Sequence, residues 1–184
     1  MTTPSDRHCA ALERNLAELQ KAILIRTTML GYEDAQHFGH MFLRVSYDAL
    51  FNAYMAHCLR VFERGSTASF WYMQRSWPNL IGKYLSENGY AISALEDVSD
   101  KLKHIRDKTH FHVDANAVLD PAAVWHHAAI RGSDLSRAVD AAWGALSALA
   151  PHLGYGAIAL PDYTRKDSHA AVVLVESGPP HGAL

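Results

Sequence analysis

Residues 92–114 read ISALEDVSDKLKHIRDKTHFHVD. In the first half, Ile92, Leu95, Val98, Leu102 and Ile105 recur at spacings of three and four, which predicts one apolar face of a helix turned to a core. With 98, 102 and 105 inward, Lys101, Lys103, Arg106 and Lys108 emerge toward solvent or a groove. The helix leads into a window, 101–112, with four Lys or Arg against one Asp and three of the chain's twelve His. That window is net basic in a chain whose formal charge is -2. Cations at a helix C-terminus are stabilised by roughly 0.3 to 1 kcal/mol each, so a basic end alone is what an ordinary solvated helix shows.

Outward from this stretch the pattern stays helical. Leu12, Leu16, Leu19, Ile23 and Leu30 predict a first helix from an N-cap at Asp6 to a stop at Gly31. A second run, from about Asp34 to Arg64, is apolar on several sides (Phe38, Phe42, Val45, Ala49, Tyr54, Cys58, Val61, Phe62), the signature of a helix inside a bundle. Gly65 to Ser69 ends it, and Phe70, Trp71, Tyr72, Trp77 and Leu80 predict short helical pieces broken at Pro78. Asp120-Pro121 reads as an N-cap with Pro at the first helical position. Ser133 or Asp134 caps a helix carrying Leu135, Val139, Ala142, Trp143, Leu146 and Leu149, closed by Pro151 and Gly154. Residues 1–153 are thus expected to form an all-α bundle. Residues 154–184, rich in Gly, Pro and polar turns, are expected to be an arm outside it, with a β-like run at Ala171–Val175.

Composition removes whole classes of function. The chain has 184 residues, 49% of them hydrophobic, enough to bury roughly 70% of the unfolded surface as one domain. With Lys plus Arg 17 against Asp plus Glu 19, it is not a generally basic nucleic-acid coat, and phosphate contacts must come from a local cluster. Cys9 and Cys58 make no disulfide framework, read as core residues and fit a reducing compartment. No apolar run is long enough for a membrane span, and Met1 to Asp6 lacks the order of a secretory signal, so a cytoplasmic protein is expected. There is no Gly-rich phosphate loop, no GxSxG and no CxxC.

Arg106 followed by His112, within Arg-Asp-Lys-Thr-His-Phe-His, resembles the R-x(4-6)-H motif of HEPN domains, small helical bundles of prokaryotic defence and toxin systems. A second phrase, Leu59-Arg-Val-Phe-Glu-Arg-Gly-Ser-Thr-Ala-Ser69, is similar to the Arg-Leu-Phe-Asp-like helix end and small-residue turn of the abortive-infection, AbiU-type subgroup. In helix order and spacing the resemblance covers roughly Phe38 to Ala150. It implies an HEPN-like bundle acting as a metal-independent endoribonuclease, with an RNA substrate, an antitoxin partner and no cofactor. It implies His112 as general acid or base and Arg106 as phosphate clamp, completed by the same pair from a second subunit of a homodimer. The chemistry suits these groups: His titrates near neutrality, and Arg stays charged and offers a planar fork to phosphate oxygens. One imidazole serves both proton transfers poorly, which a symmetric dimer resolves.

Other readings of the same residues stay open. His110 lies four residues after Arg106 and shares its face on a continuing helix, whereas His112 turns away by about 120° unless the helix ends near Thr109. Asp107 either orients His112 or pairs with Lys103 or Lys108, and Glu63 and Arg60 either line the cleft or end a helix in solvent. His110, His112 and Asp114, with His57, His126, His127 or the His37/His40 pair, are the material for a metal site, without the spacing such sites demand. The non-enzymatic alternative is an HEPN-like module that binds a protein partner or nucleotide without cleaving.

Overall fold

The computed structural model describes residues 5–35, 39–110 and 121–178, with Thr109, His110, Pro121 and Ala122 described in the backbone only. Among the described residues there are eight α-helices and no strand: α1 Asp6–Ala35, α2 Met41–Phe62, α3 Phe70–Ser76, α4 Pro78–Glu87, α5 Ile92–Ile105, α6 Pro121–Ala128, α7 Gly132–Leu149 and α8 Arg165–Glu176. A π-helical turn, Arg106–His110, continues α5, and a 3-10 turn, Ala150–Leu153, continues α7. No described helix is long and apolar enough to cross a membrane.

The all-α expectation holds, and α5 ends where its apolar periodicity ends. Leu95, Val98, Leu102 and Ile105 are all buried. They meet the inner faces of α2, α6 and α7, while α4 closes against α7. The bundle is organised around α1, about 45 Å long at the standard rise per residue, which lies against α2, α3, α7 and α8. Leu12, Leu16, Leu19 and Ile23 form its buried stripe. Among them Asn15 is buried too, and its amide donates to the carbonyls of Ala11 at 2.7 Å and Ala68 at 2.9 Å, pinning the α2–α3 turn to the spine. Cys58 is buried and Cys9 partly so, both as free thiols in the core.

Several boundaries differ from the sequence reading for physical reasons. Gly31 does not stop α1, which runs four residues further. It is instead where α8 crosses: a Cβ there would collide with the Ser168 hydroxyl and the Arg165 carbonyl. The β-like run at Ala171–Val175 is helical. It belongs to α8, which buries Ser168 and Val172, one turn apart, against the end of α1. Arg165 pairs with Asp34 at 2.9 Å and Tyr163 bonds to Thr28 at 2.9 Å, so residues on either side of the α8 start are tied to α1. Glu176 at the far end accepts from the Gly39 amide at 2.9 Å.

α2 begins at Met41 rather than Asp34. Its C-terminal half is inside the bundle as expected, but Phe42 (68% exposed) and Val45 (59%) face outward, because no helix among the described residues packs over that side. α7 begins at Gly132 with Arg131 as its N-cap, ahead of Ser133 and Asp134. Asp120, Phe38 and His37 lie outside the described residues.

Glycine at two helical positions should therefore respond oppositely to a side chain. Gly31→Leu is expected to lower stability by about 1–3 kcal/mol by forcing α8 off α1. Gly82→Ala, where an added Cβ meets nothing within 4 Å, should raise it by about 0.5–1 kcal/mol. Urea denaturation followed by circular dichroism reads both, and equal signs would refute the packing assigned to Gly31.

Candidate functional site

α2 ends at Phe62, and a helix end leaves its last carbonyls without intrahelical partners. The Phe62 carbonyl is buried, and the Trp71 indole supplies the donor: Trp71 Nε1 lies 3.1 Å from the Phe62 oxygen and 2.9 Å from Ser99 Oγ. Ser99 in turn donates to the Leu95 carbonyl inside α5 at 2.9 Å. One indole thus joins the end of α2, the first turn of α3 and the middle of α5. This brings Glu63 and Arg64, just past α2, opposite Asp100, Lys103 and Arg106 of the α5 side.

Between these two groups lies an open cleft of about 410 Å³, floored by Leu59, Phe62 and Leu102. Its rim holds three cations and two carboxylates, and most are already matched. Arg106 Nη1 donates to Glu63 Oε1 at 2.7 Å, while Nε and Nη2 both donate to Asp107 Oδ1, at 2.8 and 2.7 Å. Asp107 and Glu63 hold the Arg106 guanidinium above its ordinary pKa against the small opposing effect of burial. Arg64 pairs with Asp100 at 3.2 Å and lies over the Trp71 ring at 5.4 Å from its centroid. Among the described residues lining the cleft, Lys103 is the cation without a carboxylate partner.

The structure brings three of the sequence-derived site residues, Arg106, Asp107 and Glu63, into direct contact. Asp107 pairs with Arg106 rather than with Lys103. Lys108 follows in the π turn, half-buried. His110 ends that turn, with only its backbone described. His112 and Asp114 lie outside the described residues. Arg60 is not part of the cleft: it faces α1, where it and His57 meet Glu18, at 3.2 and 2.7 Å. Burial works to raise the Glu18 pKa, but the hydrogen bonds from His57 and Arg60 prevail and hold it below the usual value.

The other histidines weighed as metal ligands are dispersed. His57 is bound to Glu18, His40 lies 3.9 Å from Glu176, and His127 stacks near His104, with ring centroids 5.0 Å apart. Among the described residues no group of three His, Cys, Asp or Glu is arranged to hold a metal. Trp71, Ser99 and Asp100 were not singled out as site residues in the sequence. Their only signal there was position, Trp71 just after the α2–α3 turn and Ser99 one residue from the inward Val98.

A family model described as AbiU2, of the HEPN type, matches residues 5–174. No curated protein and no solved structure matches the chain.

The two kinds of contact at this site should separate in stability. The Arg106 pairs are half-exposed, so Arg106→Ala is expected to cost about 1 kcal/mol or less. Trp71→Phe leaves the Phe62 carbonyl and Ser99 hydroxyl without their donor in a buried place and should cost about 1–3 kcal/mol. Urea denaturation of both variants checks the order, and a larger loss for Arg106→Ala would mean that the ion pairs, not the indole, hold α2 to α5.

Proposed function

The chain belongs to the AbiU2 family of HEPN-like abortive-infection domains, and from that premise we propose that it is a metal-independent endoribonuclease of a defence or toxin–antitoxin system. Arg106 is the phosphate clamp and His112, six residues on, the general acid or base. The observation that supports this reading is the convergence of Arg64, Lys103 and Arg106 on one cleft in a chain of net charge -2. A guanidinium, an ammonium and an apolar floor make a site for a phosphodiester and its neighbouring base.

In the proposed reaction a base removes the proton of the ribose 2'-hydroxyl. The freed oxygen attacks phosphorus, the bond to the 5'-oxygen breaks, and that oxygen takes a proton from an acid. The products are a 2',3'-cyclic phosphate and a 5'-hydroxyl end. Arg106 stabilises the charge that accumulates on the phosphoryl oxygens. Two proton transfers call for two imidazoles, so the proposed enzyme is a homodimer with a composite site, the second His112 coming from the partner copy.

The resting guanidinium is not free for phosphate. Glu63 and Asp107 take three of its five N–H groups. A phosphate about 5 Å from either carboxylate is repelled by about 3 kcal/mol at an effective dielectric near 20, comparable to what a charge-assisted contact returns. Binding is therefore an exchange, in which the backbone phosphate takes the place of a carboxylate. That same saturation favours a second reading, a non-catalytic HEPN-like module that binds a protein partner or nucleotide and uses Arg106 to tie α5 to α2.

Labelled single-stranded RNA incubated with the protein in EDTA distinguishes the two. The ribonuclease reading predicts cleavage by wild type, a loss of about 100-fold or more for Arg106→Ala and His112→Ala, and faster cleavage for Glu63→Gln, which releases the clamp. Equal rates for wild type, Arg106→Ala and His112→Ala leave only the non-catalytic module. The composite site also predicts a dimer by light scattering at micromolar concentration, and a monomer there would remove the second imidazole from the mechanism.

A further inference from the structure

A second cavity, of about 470 Å³, opens between α1, α2 and the corner that joins α6 to α7. It shares no residue with the cleft at Arg106, and nothing in the preceding sections gives it a role. Its volume falls in the range of pockets that enclose small organic molecules.

The cavity is chemically unequal from end to end. One side is a slot between rings: Phe51 of α2 and Trp125 of α6 stand 5.5 Å apart at centroids and are tilted by 51°. Met29, Met55 and Leu135 supply apolar walls around them. The other side is cationic and donor-rich. It contains Arg131 and the first two residues of α7, Gly132 and Ser133. The Arg131 carbonyl already accepts from the amides of Asp134 and Leu135, both at 3.1 Å. The amides of Gly132 and Ser133 are the orphan donors of an 18-residue helix that has no side-chain cap.

The remaining charges around the cavity are satisfied internally. Arg26 donates to Asp140 at 2.7 Å and to the Ser136 carbonyl at 2.9 Å, and Glu33 accepts from the Tyr47 hydroxyl. Arg131 is the lining cation with no counter-ion among the described residues. In the wall between the two sides, the Tyr54 hydroxyl is buried beside Ser136 and Cys58 with no hydrogen-bond partner. An unmet buried donor in a cavity wall calls for an acceptor that the fold itself does not supply. The corner before Arg131 is held by Ala129 at φ 48°, a left-handed backbone that an alanine adopts only under constraint.

We propose that this cavity binds a small planar aromatic anion, a single or fused ring carrying one carboxylate or phosphate. The ring enters between Phe51 and Trp125, where aromatic faces reward flat ligands. The anionic group lies at the α7 N-terminus beside Arg131, where backbone donors and a full positive charge coincide. Neither half suffices alone: an apolar ring leaves Arg131 and the helix donors unused, and a bare anion has nothing to fill the slot. The proposal does not depend on the cleft at Arg106 being a nuclease site.

Isothermal titration calorimetry with four probes tests it: indole-3-acetate and adenosine monophosphate as aromatic anions, indole as the ring alone, and acetate as the anion alone. The expected result is saturable binding of at least one aromatic anion, with indole and acetate weaker by about tenfold or more. Arg131→Gln, an exposed substitution that leaves the fold untouched, should weaken the aromatic anion by about tenfold. Trp125→Ala should abolish its binding while circular dichroism stays native. Binding by neither aromatic anion, equal affinity for indole and indole-3-acetate, or an unchanged affinity in Arg131→Gln would each overturn the proposal.

Discussion

A single indole N–H sets the geometry on which the candidate site depends. α2 must end somewhere, and where it ends inside the bundle its last carbonyls need donors that the helix cannot provide. Trp71 meets the Phe62 carbonyl and, with the same hydrogen, reaches Ser99 on α5. The ring itself is buried and carries the Arg64 guanidinium on its outer face. Everything at the cleft rim follows from that anchor. Glu63 and Arg64 leave α2 at a fixed height, and Asp100, Lys103 and Arg106 sit on successive turns of α5 facing them. Asn15 contributes from the opposite side by fixing the Ala68 carbonyl, so the turn from Glu63 to Ser69 is held at both ends.

Helices were legible because apolar residues repeat, and their partners were legible only where the repeat was unambiguous. α5 reads cleanly, since five apolar positions fall on one stripe and four of them are buried. Gly31 shows the limit. As a residue type it signals a stop, but its lack of a side chain is used for close approach by a helix 137 residues later in the chain, which periodicity within α1 does not encode. The run at Ala171–Val175 shows the same limit in reverse. Its valines favour strand locally, yet Ser168, Val172 and Val175 fall on one helical face. The groove at the end of α1 rewards that face more than β propensity is worth.

The site was legible as residue types and not as a constellation. Arg106, Asp107 and Glu63 stood out in the sequence, but Glu63 lies 43 positions from Arg106 and only the fold makes it a ligand of that guanidinium. Arg60 and Glu63 are three residues apart at one helix end and serve different neighbours, Glu18 on α1 and Arg106 past α5, because one turn of helix separates the face toward the spine from the face toward the cleft. A basic window on paper is therefore close to neutral in space. Lys101 pairs with Asp97 and Arg106 with two carboxylates, and the surplus positive charge of the 101–108 stretch is largely spent before any ligand arrives.

That neutrality bears directly on how an anion-binding arginine can be kept ready. A guanidinium standing partly buried with no partner would lose solvation without compensation, so a clamp that must exist without its substrate needs substitute acceptors. Carboxylates are the closest substitutes for phosphate, planar to tetrahedral but alike in charge-assisted geometry. Glu63 and Asp107 hold Arg106 in place as phosphate would, at 2.7 to 2.8 Å. The affinity for any incoming phosphate is then the difference between two similar interactions rather than the full strength of one. Half-exposed pairs exchange readily, and a small bias in their charge or position moves that difference far more than it moves the fold. An arrangement of this kind binds weakly by default and strongly only when Glu63 is drawn elsewhere. Since Glu63 sits on the strand-free turn anchored by Trp71 and Asn15, the route to drawing it away runs through α2 and α3 rather than through the basic window itself.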